Sequence, residues 1–189
     1  GINAEYGELM LTIKEKIIRA LSTTIEMLDY RGVDTSDLEA IKQMTPEVFT
    51  EPLENQYLKT FTLQSNQFAV YLCLEYNKDV VTDIKPHTIV ISLTKPRNVK
   101  LLPGIQLFYI DDLIINITKN RLVPKHELIT DNEEIQCILK KLMADENQLP
   151  KICMDDAMAK FLGAKTGQMV RIVRSSKQAG EYIVYRIVI

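Results

Sequence analysis

The sequence is poor in the residues that build metal sites and disulfide frameworks. It contains three cysteines, Cys73, Cys137 and Cys153, and two histidines, His87 and His126. An odd number of cysteines at wide, irregular spacing fits neither a set of disulfides nor the paired ligands of a zinc site, and unpaired cysteines are typical of a reducing compartment. We therefore expect a protein of the cytosol or nucleus with no bound metal, with buried cysteines and with histidines on the surface or in loops.

Long apolar runs are also missing. No stretch approaches the roughly 18–20 apolar residues that cross a bilayer, and the start, Gly1 to Glu5, has neither the basic nor the apolar part of a secretion signal. We expect no membrane-spanning segment and no secretion signal. Because the chain does not begin with methionine, we also expect that residues are missing at this end.

Strong charge of either sign is absent too. The net charge is −2, but residues 1–115 hold 11 Lys and Arg against 16 Asp and Glu (net −5), whereas residues 116–189 hold 12 against 9 (net +3). A free-standing nucleic-acid-binding protein needs a strong positive balance for its phosphate contacts. Neither half has one, so we expect any contact with DNA to be a minor part of a larger complex.

The first 115 residues predict two helices followed by strands. The first helix, predicted over the first 30 residues, has an apolar stripe at helical spacing, formed by Leu9, Ile13, Ile17, Leu21, Ile25 and Leu28. It should end at Arg31-Gly32, and Ser36 with Glu39 predicts a capping box for a second, short helix that Pro46 ends. Four β-rich segments follow, at residues 61–63, 68–74, 88–93 and 105–110. This order predicts an α+β domain that ends near Asp111-Asp112.

The remaining residues predict a second, smaller α+β unit. A helix should begin at Thr130, with Glu133 completing a capping box, and bury Ile135, Ile138, Leu139 and Leu142. Asp155 should cap a short helix that Gly163 closes. Residues 168–174 and 181–189 then predict a β-hairpin.

Five motifs in this second unit carry a resemblance to a known family. They are Asn116-Ile117-Thr118 with Leu122 to His126, Gln148 to Ile152, Gly163 to Gln168, Ala179 to Tyr182, and Tyr185-Arg186. In this order and at nearly this spacing, they resemble the RNA polymerase subunit that the nuclear enzymes share as their fifth subunit, together with its smaller archaeal counterpart. The chain departs from the family at Ala157-Met158, Thr166 and Glu181, so partner contacts at those surface or helix-start positions are not carried over.

The resemblance implies two domains, a jaw-like domain over residues 1–115 and an assembly domain over residues 116–189. It implies a non-catalytic subunit that uses no cofactor, docks on the largest polymerase subunit among other subunits, and holds downstream duplex DNA weakly within the complex. Neither a membrane nor a small-molecule substrate is expected. The candidate docking residues are Leu149, Pro150, Lys151, Ile152, Lys165, Gly167, Gln168, Arg171, Arg174, Tyr182, Tyr185 and Arg186.

Residues 1–115 resemble the jaw of the eukaryotic subunit only faintly, and the archaeal counterpart has no such domain. The stretch from Ile89 to Thr118 is similar to the last strands of the jaw with a segment deleted. A long but divergent jaw suggests a homologue from a large cytoplasmic DNA virus, similar to asfarviruses. We expect the host cytoplasm and virion for a viral protein, and the nucleus otherwise.

Two other functions stay open. Asp83-Ile84-Lys85 has the Asp-x-Lys spacing of a metal-dependent nuclease, but no acidic partner on a preceding strand accompanies it, and we predict a loop there. The second alternative is a free-standing nucleic-acid-associated regulatory protein. Residues 163–167 do not form a phosphate-binding loop, because no glycine precedes Lys165. Asn116-Ile117-Thr118 matches a glycosylation sequon, but we predict a packed strand there.

Residues 157–180 contain five basic residues and no acidic one. The five are Lys160, Lys165, Arg171, Arg174 and Lys177. Because side chains alternate along a strand, we predict that this basic set shares one side of the hairpin. Given the resemblance, we favour a side that faces protein, with or without nucleic acid, over a solvated face.

Overall fold

The computed structural model describes residues 11–43 and 61–189. The chain divides into two compact units, Gly1–Ile115 and Asn116–Ile189. Each described unit combines helices with one four-stranded sheet, so the α+β prediction is confirmed. Within the described ranges, no helix combines the length and the apolar character that crossing a membrane requires.

In the first unit, helix α1 spans Ile13–Tyr30. Thr12 caps it, because the Glu15 amide donates to Thr12 Oγ1 at 3.2 Å and the Thr12 amide donates to Glu15 Oε2 at 2.7 Å. The predicted start is therefore wrong: the helix begins at this capping box, Ile13 is 58% exposed, and Leu9 lies outside the described residues. The rest of the predicted stripe is buried, namely Ile17, Leu21, Ile25 and Leu28.

The second helix is a 3₁₀ helix over Ser36–Gln43. Ser36 is its first residue, and both its amide and its hydroxyl donate to Asp34 Oδ1, at 3.0 and 2.8 Å. The sequence pattern predicted that the Ser36 side chain caps the helix, and the contact with Asp34 was not predicted. The predicted end at Pro46 lies outside the described residues.

The sheet of the first unit has the strand order β1-β2-β3-β4. Its strands are β1 Phe61–Gln64, β2 Phe68–Cys73, β3 His87–Ser92 and β4 Ile105–Tyr109, as the four β-rich segments predicted. The β1·β2 pair is antiparallel, whereas β2·β3 and β3·β4 are parallel. All six residues of β2 and five of the six residues of β3 are buried, as is usual for parallel strands covered on both faces.

Different segments cover the two faces of this sheet. Arg31, which ends α1, donates to Gln106 Oε1 of β4 at 2.7 Å, so the end of α1 lies on the Gln106 face. Burial lowers the pKa of Arg31 to about 10. On the opposite face, Tyr71 and Val90 form a core with Tyr76, against which residues of the connecting loops pack.

Around the boundary between the units, the chain turns twice in 3₁₀ helices, Ile110–Leu113 and Ile117–Lys119. The packed strand predicted for Asn116-Ile117-Thr118 is therefore wrong. The buried Asn116 side chain accepts from the Thr118 amide at 2.9 Å and from the Thr118 hydroxyl at 2.6 Å, and this local bonding favours a turn over a strand.

The sheet of the second unit has the order β5-β7-β8-β6. Its strands are β5 Lys125–Ile129, β6 Lys151–Ile152, β7 Met169–Ser176 and β8 Gly180–Val188. β7 and β8 form the predicted hairpin, although its turn is shorter than expected because the strands extend to Ser176 and Gly180. β5 and β6 were not predicted from the sequence. β6 runs parallel to the end of β8 and covers only Ile187 and Val188.

Two helices complete the second unit, α2 over Asn132–Leu142 and α3 over Ala157–Leu162. Both predicted caps were placed one residue too early: Asp131 caps α2 and Asp156 caps α3. Leu142 is also 44% exposed, so the buried face of α2 ends at Leu139.

The helices pack on opposite faces of this sheet. Ile135, Ile138 and Leu139 of α2 form one core with Met169 and Ile187. Ala159 and Leu162 of α3 form the other core with Val170, Ile172 and Val188. Successive residues of β7 and of β8 therefore point into alternate cores. Odd-numbered residues of the hairpin lie on the α2 face and even-numbered ones on the α3 face.

The structure corrects part of what was expected of the cysteines and histidines. Cys73 is buried, as predicted, and burial raises the pKa of its thiol to about 11. Cys137 and Cys153 are instead exposed. His126 is buried in β5, where Nδ1 lies 2.7 Å from the Pro124 carbonyl oxygen, so it is not a surface or loop residue.

Candidate docking surface

All the predicted docking residues belong to the second unit, and they fall at three places. Residues 149–152 lead into and form β6, residues 165–168 form the turn before β7, and the rest lie on the hairpin. Their partners within the unit distinguish side chains that hold the domain together from side chains that face solvent.

The β6 segment is used mainly inside the unit. Leu149 packs half-buried against the α2 core, and Ile152 belongs to the α3 core. The exposed Pro150 presents its carbonyl oxygen to the Ile187 amide at 2.9 Å. Lys151 Nζ bonds to the Glu146 carbonyl oxygen. Only Pro150 of this segment is exposed, and its backbone anchors β6 to β8.

Arg186 binds this segment to the hairpin. Its guanidinium donates to the Lys151 carbonyl oxygen at 3.0 Å. The side chain is half-buried, so Arg186 has a structural role in addition to the docking role predicted for it. Its positive charge nevertheless remains near the surface of the sheet.

The turn before β7 is closed by the side chain of Gln168. The Lys165 amide donates to Gln168 Oε1 at 2.8 Å, and the Gly167 amide donates to the Val188 carbonyl oxygen at 2.9 Å. Gly167 has φ +88, a conformation that favours glycine. This geometry explains the motif as a fold-determining turn and leaves the Lys165 side chain exposed.

Arg171 lies in the middle of a polar row that crosses three strands. Glu127 of β5 and Tyr185 of β8 are its direct cross-strand partners. Arg171 lies 3.2 Å from Glu127 Oε2 and 3.6 Å from Glu134 Oε1, and its guanidinium carbon is 5.7 Å from the Tyr185 ring centre. The hydrogen bond to Tyr185 and the one to Glu127 raise the pKa of Arg171. Arg171 and Tyr185 therefore interact with each other within the unit.

The prediction that the basic residues share one side of the hairpin is wrong. Arg171 and Arg174 are three residues apart in a regular ladder, so their side chains project from opposite faces of the sheet. Arg171 is on the α2 face, whereas Arg174 is on the α3 face, opposite Tyr182 on the neighbouring strand. Arg174 is exposed and Tyr182 is 45% exposed.

The structure adds residues that the sequence prediction left out. Ile183, on β8, is 52% exposed, and Met154 and Ile189 are 43% and 56% exposed. The Met154 amide donates to the Ile189 carbonyl oxygen at 2.8 Å, so these two apolar residues are neighbours. The alternation along β8 could have indicated Ile183, because Ile183 lies on the same face as Ile187 and Tyr185, which belong to or pack against the α2 core.

In the first unit, Asp83 and Lys85 lie in the loop before β3, as predicted. Asp83 Oδ2 is 2.6 Å from Lys85 Nζ, and the Asp83 amide and carbonyl oxygen both bond to the Tyr71 hydroxyl. Within residues 11–43 and 61–189, no group of three or more His, Cys, Asp and Glu side chains could hold a metal ion. The pair forms a local contact that ties the loop to the sheet.

The loop that follows β3 is basic, although residues 1–115 are acidic in total. Residues 93–104 hold three basic side chains, Lys95, Arg97 and Lys100, and no acidic one. All three are exposed. Val99, between the last two, packs against the core of the sheet, and Asn98 has φ +48. An apolar anchor thus holds a short basic loop on the surface.

Comparisons with known proteins place the second unit. A family model described as RNA polymerase Rpb5, C-terminal domain, matches residues 115–188. The chain is 43% identical over 76 residues to a Dictyostelium discoideum protein named as a subunit of DNA-directed RNA polymerases I, II, and III. These residues are 40% of this chain and 38% of that protein. Proteins with the corresponding name from Caenorhabditis briggsae and Caenorhabditis elegans are each 40% identical over 78 residues, 41% of this chain and 36% of the relative. The matched region thus spans less than two fifths of each relative.

Proposed function

We propose, from the match of residues 115–188 to the Rpb5 C-terminal domain family, that the chain is a non-catalytic subunit of a multisubunit DNA-directed RNA polymerase. The matched relatives are named as subunits of such polymerases. The single observation that carries the proposal is this match, which covers the whole described sheet of the second unit. The role beyond these residues is inferred, because the matched part is less than two fifths of each relative.

The geometry of the second unit supports docking. The family motifs fall on a closed turn, a helix stop and the junction of β6 with β8, where they define the shape of the surface. Among the predicted docking residues, we propose that contacts use Pro150, Lys165, Arg174 and Tyr182, whose side chains are exposed. The partner that we propose for this surface is the largest polymerase subunit.

Co-purification from cells that contain the cognate polymerase tests the assignment. We expect the tagged chain to bring down the two largest polymerase subunits in stoichiometric amounts. Arg174→Glu combined with Tyr182→Ala should lower their yield several-fold, whereas Lys140→Glu, a charge reversal on α2 outside the predicted set, should leave it unchanged. If the unaltered chain recovers neither subunit, the assignment is wrong and the alternative of a free-standing regulatory protein gains support.

We further propose that the first unit holds downstream duplex DNA weakly through the basic loop over residues 93–104. Its three exposed cations suit contacts with phosphates, which position a protein on a duplex without reading its sequence. The net charge of −5 over residues 1–115 limits such contacts to a few. This role requires the rest of the polymerase to supply most of the affinity.

Salt dependence tests the proposed loop. Replacing Lys95, Arg97 and Lys100 by alanine should leave incorporation into the polymerase unchanged. The slope of log affinity for downstream duplex DNA against log salt concentration should become shallower by about 2–3, since each lost phosphate contact contributes roughly 0.9. The control is Lys78→Ala, an exposed lysine of the same unit outside the loop. An unchanged slope for the triple variant would contradict the proposal.

A nuclease based on Asp83 is the weaker candidate. The carboxylate is engaged by Lys85 in the loop before β3, and no other function of the pair is required to explain this contact.

We propose an intracellular location with the polymerase. Origin from a large DNA virus remains an expectation drawn from residues 1–115.

A further inference from the structure

The hairpin leaves most of one sheet edge open. In the order β5-β7-β8-β6, strand β8 spans Gly180–Val188, but β6 contributes only Lys151 and Ile152 to its outer side. Over residues 180–186, β8 is therefore an edge strand within the described part of the chain. An edge strand presents backbone N–H and C=O groups that another strand can bind.

Two backbone hydrogen bonds at the end of β8 show which of its residues present these groups outward. The Val188 amide donates inward, to the Gln168 carbonyl oxygen, whereas the Ile187 amide donates outward, to Pro150. Along an antiparallel strand the direction alternates from one residue to the next, and the β7·β8 register has no interruption. Gly180, Tyr182, Val184 and Arg186 thus bond to β7, and the backbone groups of the other three residues of 180–186 point outward. These three are Glu181, Ile183 and Tyr185.

The outward groups form one continuous row. Each of the three residues offers one N–H and one C=O, and no described residue provides a backbone partner for them. β8 contains neither the proline nor the lysine that often protects an edge, and Ile183 is 52% exposed beside it. This edge combines open backbone groups with an exposed apolar side chain, which are the two elements of recognition by strand addition.

We propose that an extended segment of another polymerase subunit pairs with the outer edge of β8 over Glu181–Tyr185 and continues the line that β6 begins. The proposal rests on the proposed function, because it supplies the contact by which this subunit docks. Backbone bonds from the added strand would give affinity, and the side chains on its two faces would give specificity.

The charges of β8 specify the added segment. Tyr182 and Arg186 lie on the α3 face, with Arg174 one strand further in, so that face is basic. Glu181, Ile183 and Tyr185 lie on the α2 face, which is apolar next to the edge at Ile183 and Tyr185 and carries one carboxylate, at Glu181. The fitting partner is an extended segment with acidic side chains toward the α3 face and apolar ones toward the α2 face, alternating along its length.

Hydrogen–deuterium exchange with single-residue fragmentation tests the pairing directly. In the free chain, the amides of Ile183 and Tyr185 should exchange at least about tenfold faster than those of Val184 and Arg186. In the purified polymerase, the two outward amides should slow by about tenfold or more, whereas the inward amides stay slow in both states. Outward amides that exchange equally fast in the free chain and in the polymerase would overturn the proposal.

Matched variants separate the backbone contribution from the side chain. Ile183→Pro removes an outward N–H without removing a β7·β8 bond, and should lower recovery of the two largest subunits by about tenfold. Ile183→Thr keeps the N–H and should lower it much less. Circular dichroism of each variant checks that the domain is folded.

The two proposals fail in different ways. If the unaltered chain recovers no polymerase subunits, the proposed function fails and the strand pairing fails with it. If the unaltered chain and a folded Ile183→Pro variant recover the subunits equally, the strand pairing fails while the proposed function stands.

Discussion

At the scale of single residues, Arg171 shows how a surface cation becomes part of the structure. It faces Glu127 and Tyr185 across two strand pairs and also approaches Glu134, so two carboxylates and one aromatic ring contact its guanidinium. The residues next to Arg171 in the sequence predict a basic hairpin and give no sign of these contacts. The opposing residues are distant in sequence, and strand register alone brings them together.

This arrangement predicts a difference between two arginines of the same strand. Arg171→Ala should lower the free energy of unfolding by about 1–2 kcal/mol, because it removes two carboxylate contacts and a cation–π contact. Arg174→Ala, at an exposed position, should change it by less than about 0.5 kcal/mol. Urea unfolding of the full chain followed by circular dichroism measures both, and equal effects would contradict the assigned roles.

The row also predicts a dependence on pH. Hydrogen bonds from Lys125 and then Arg171 hold the pKa of Glu127 below its usual range. Because this folded-state pKa is lower than the unfolded one, the stabilisation is present above the ordinary carboxyl range and is lost as the pH falls through the folded pKa. The stability difference between the unaltered chain and Arg171→Ala should therefore shrink in acid. A difference that stays constant from neutral pH down to pH about 3 would contradict this account.

At the scale of elements, the sequence predicted the presence of most helices and strands better than their ends. The buried stripe of α1 and the alternation of the hairpin follow from local periodicity, so both were recognised. Capping pairs are ambiguous where candidates stand side by side, as at Asp155 and Asp156. β6 has two residues, and pairing with β8 defines it as a strand, so no local signal predicted it.

The neighbouring aspartates provide a matched test of the α3 cap. Asp156 Oδ1 accepts from the Met158 amide at 2.9 Å and from the Ala159 amide at 3.3 Å. Asp156→Ala should therefore cost about 1 kcal/mol of stability, the usual effect of losing such a cap. Asp155→Ala should cost less than about 0.5 kcal/mol. Thermal unfolding of the two variants decides the assignment, and the reverse order would restore the cap predicted from the sequence.

At the scale of the whole molecule, the two units differ in how much their sequences reveal. In residues 116–189, turn glycines, caps and a proline stand at the spacing of the family whose model matches residues 115–188, so the α+β fold of this unit and its similarity to that family could be predicted. Which of the candidate docking residues are exposed could be predicted only in part, because exposure of Arg174 and burial of Ile152 depend on which sheet face each residue joins. The described residues of the first unit, 11–43 and 61–115, include a core of common apolar strands, which carries little information about a partner.

The central claim is that residues 116–189 carry the incorporation of this chain into a polymerase. The most direct measurement compares the recovery of the two largest polymerase subunits by tagged residues 116–189, by tagged residues 1–115 and by the full chain, with circular dichroism as the check that each is folded. The account predicts that residues 116–189 recover both subunits as well as the full chain does, whereas residues 1–115 recover neither. Equal recovery by the two folded halves, or recovery by residues 1–115 alone, would contradict it.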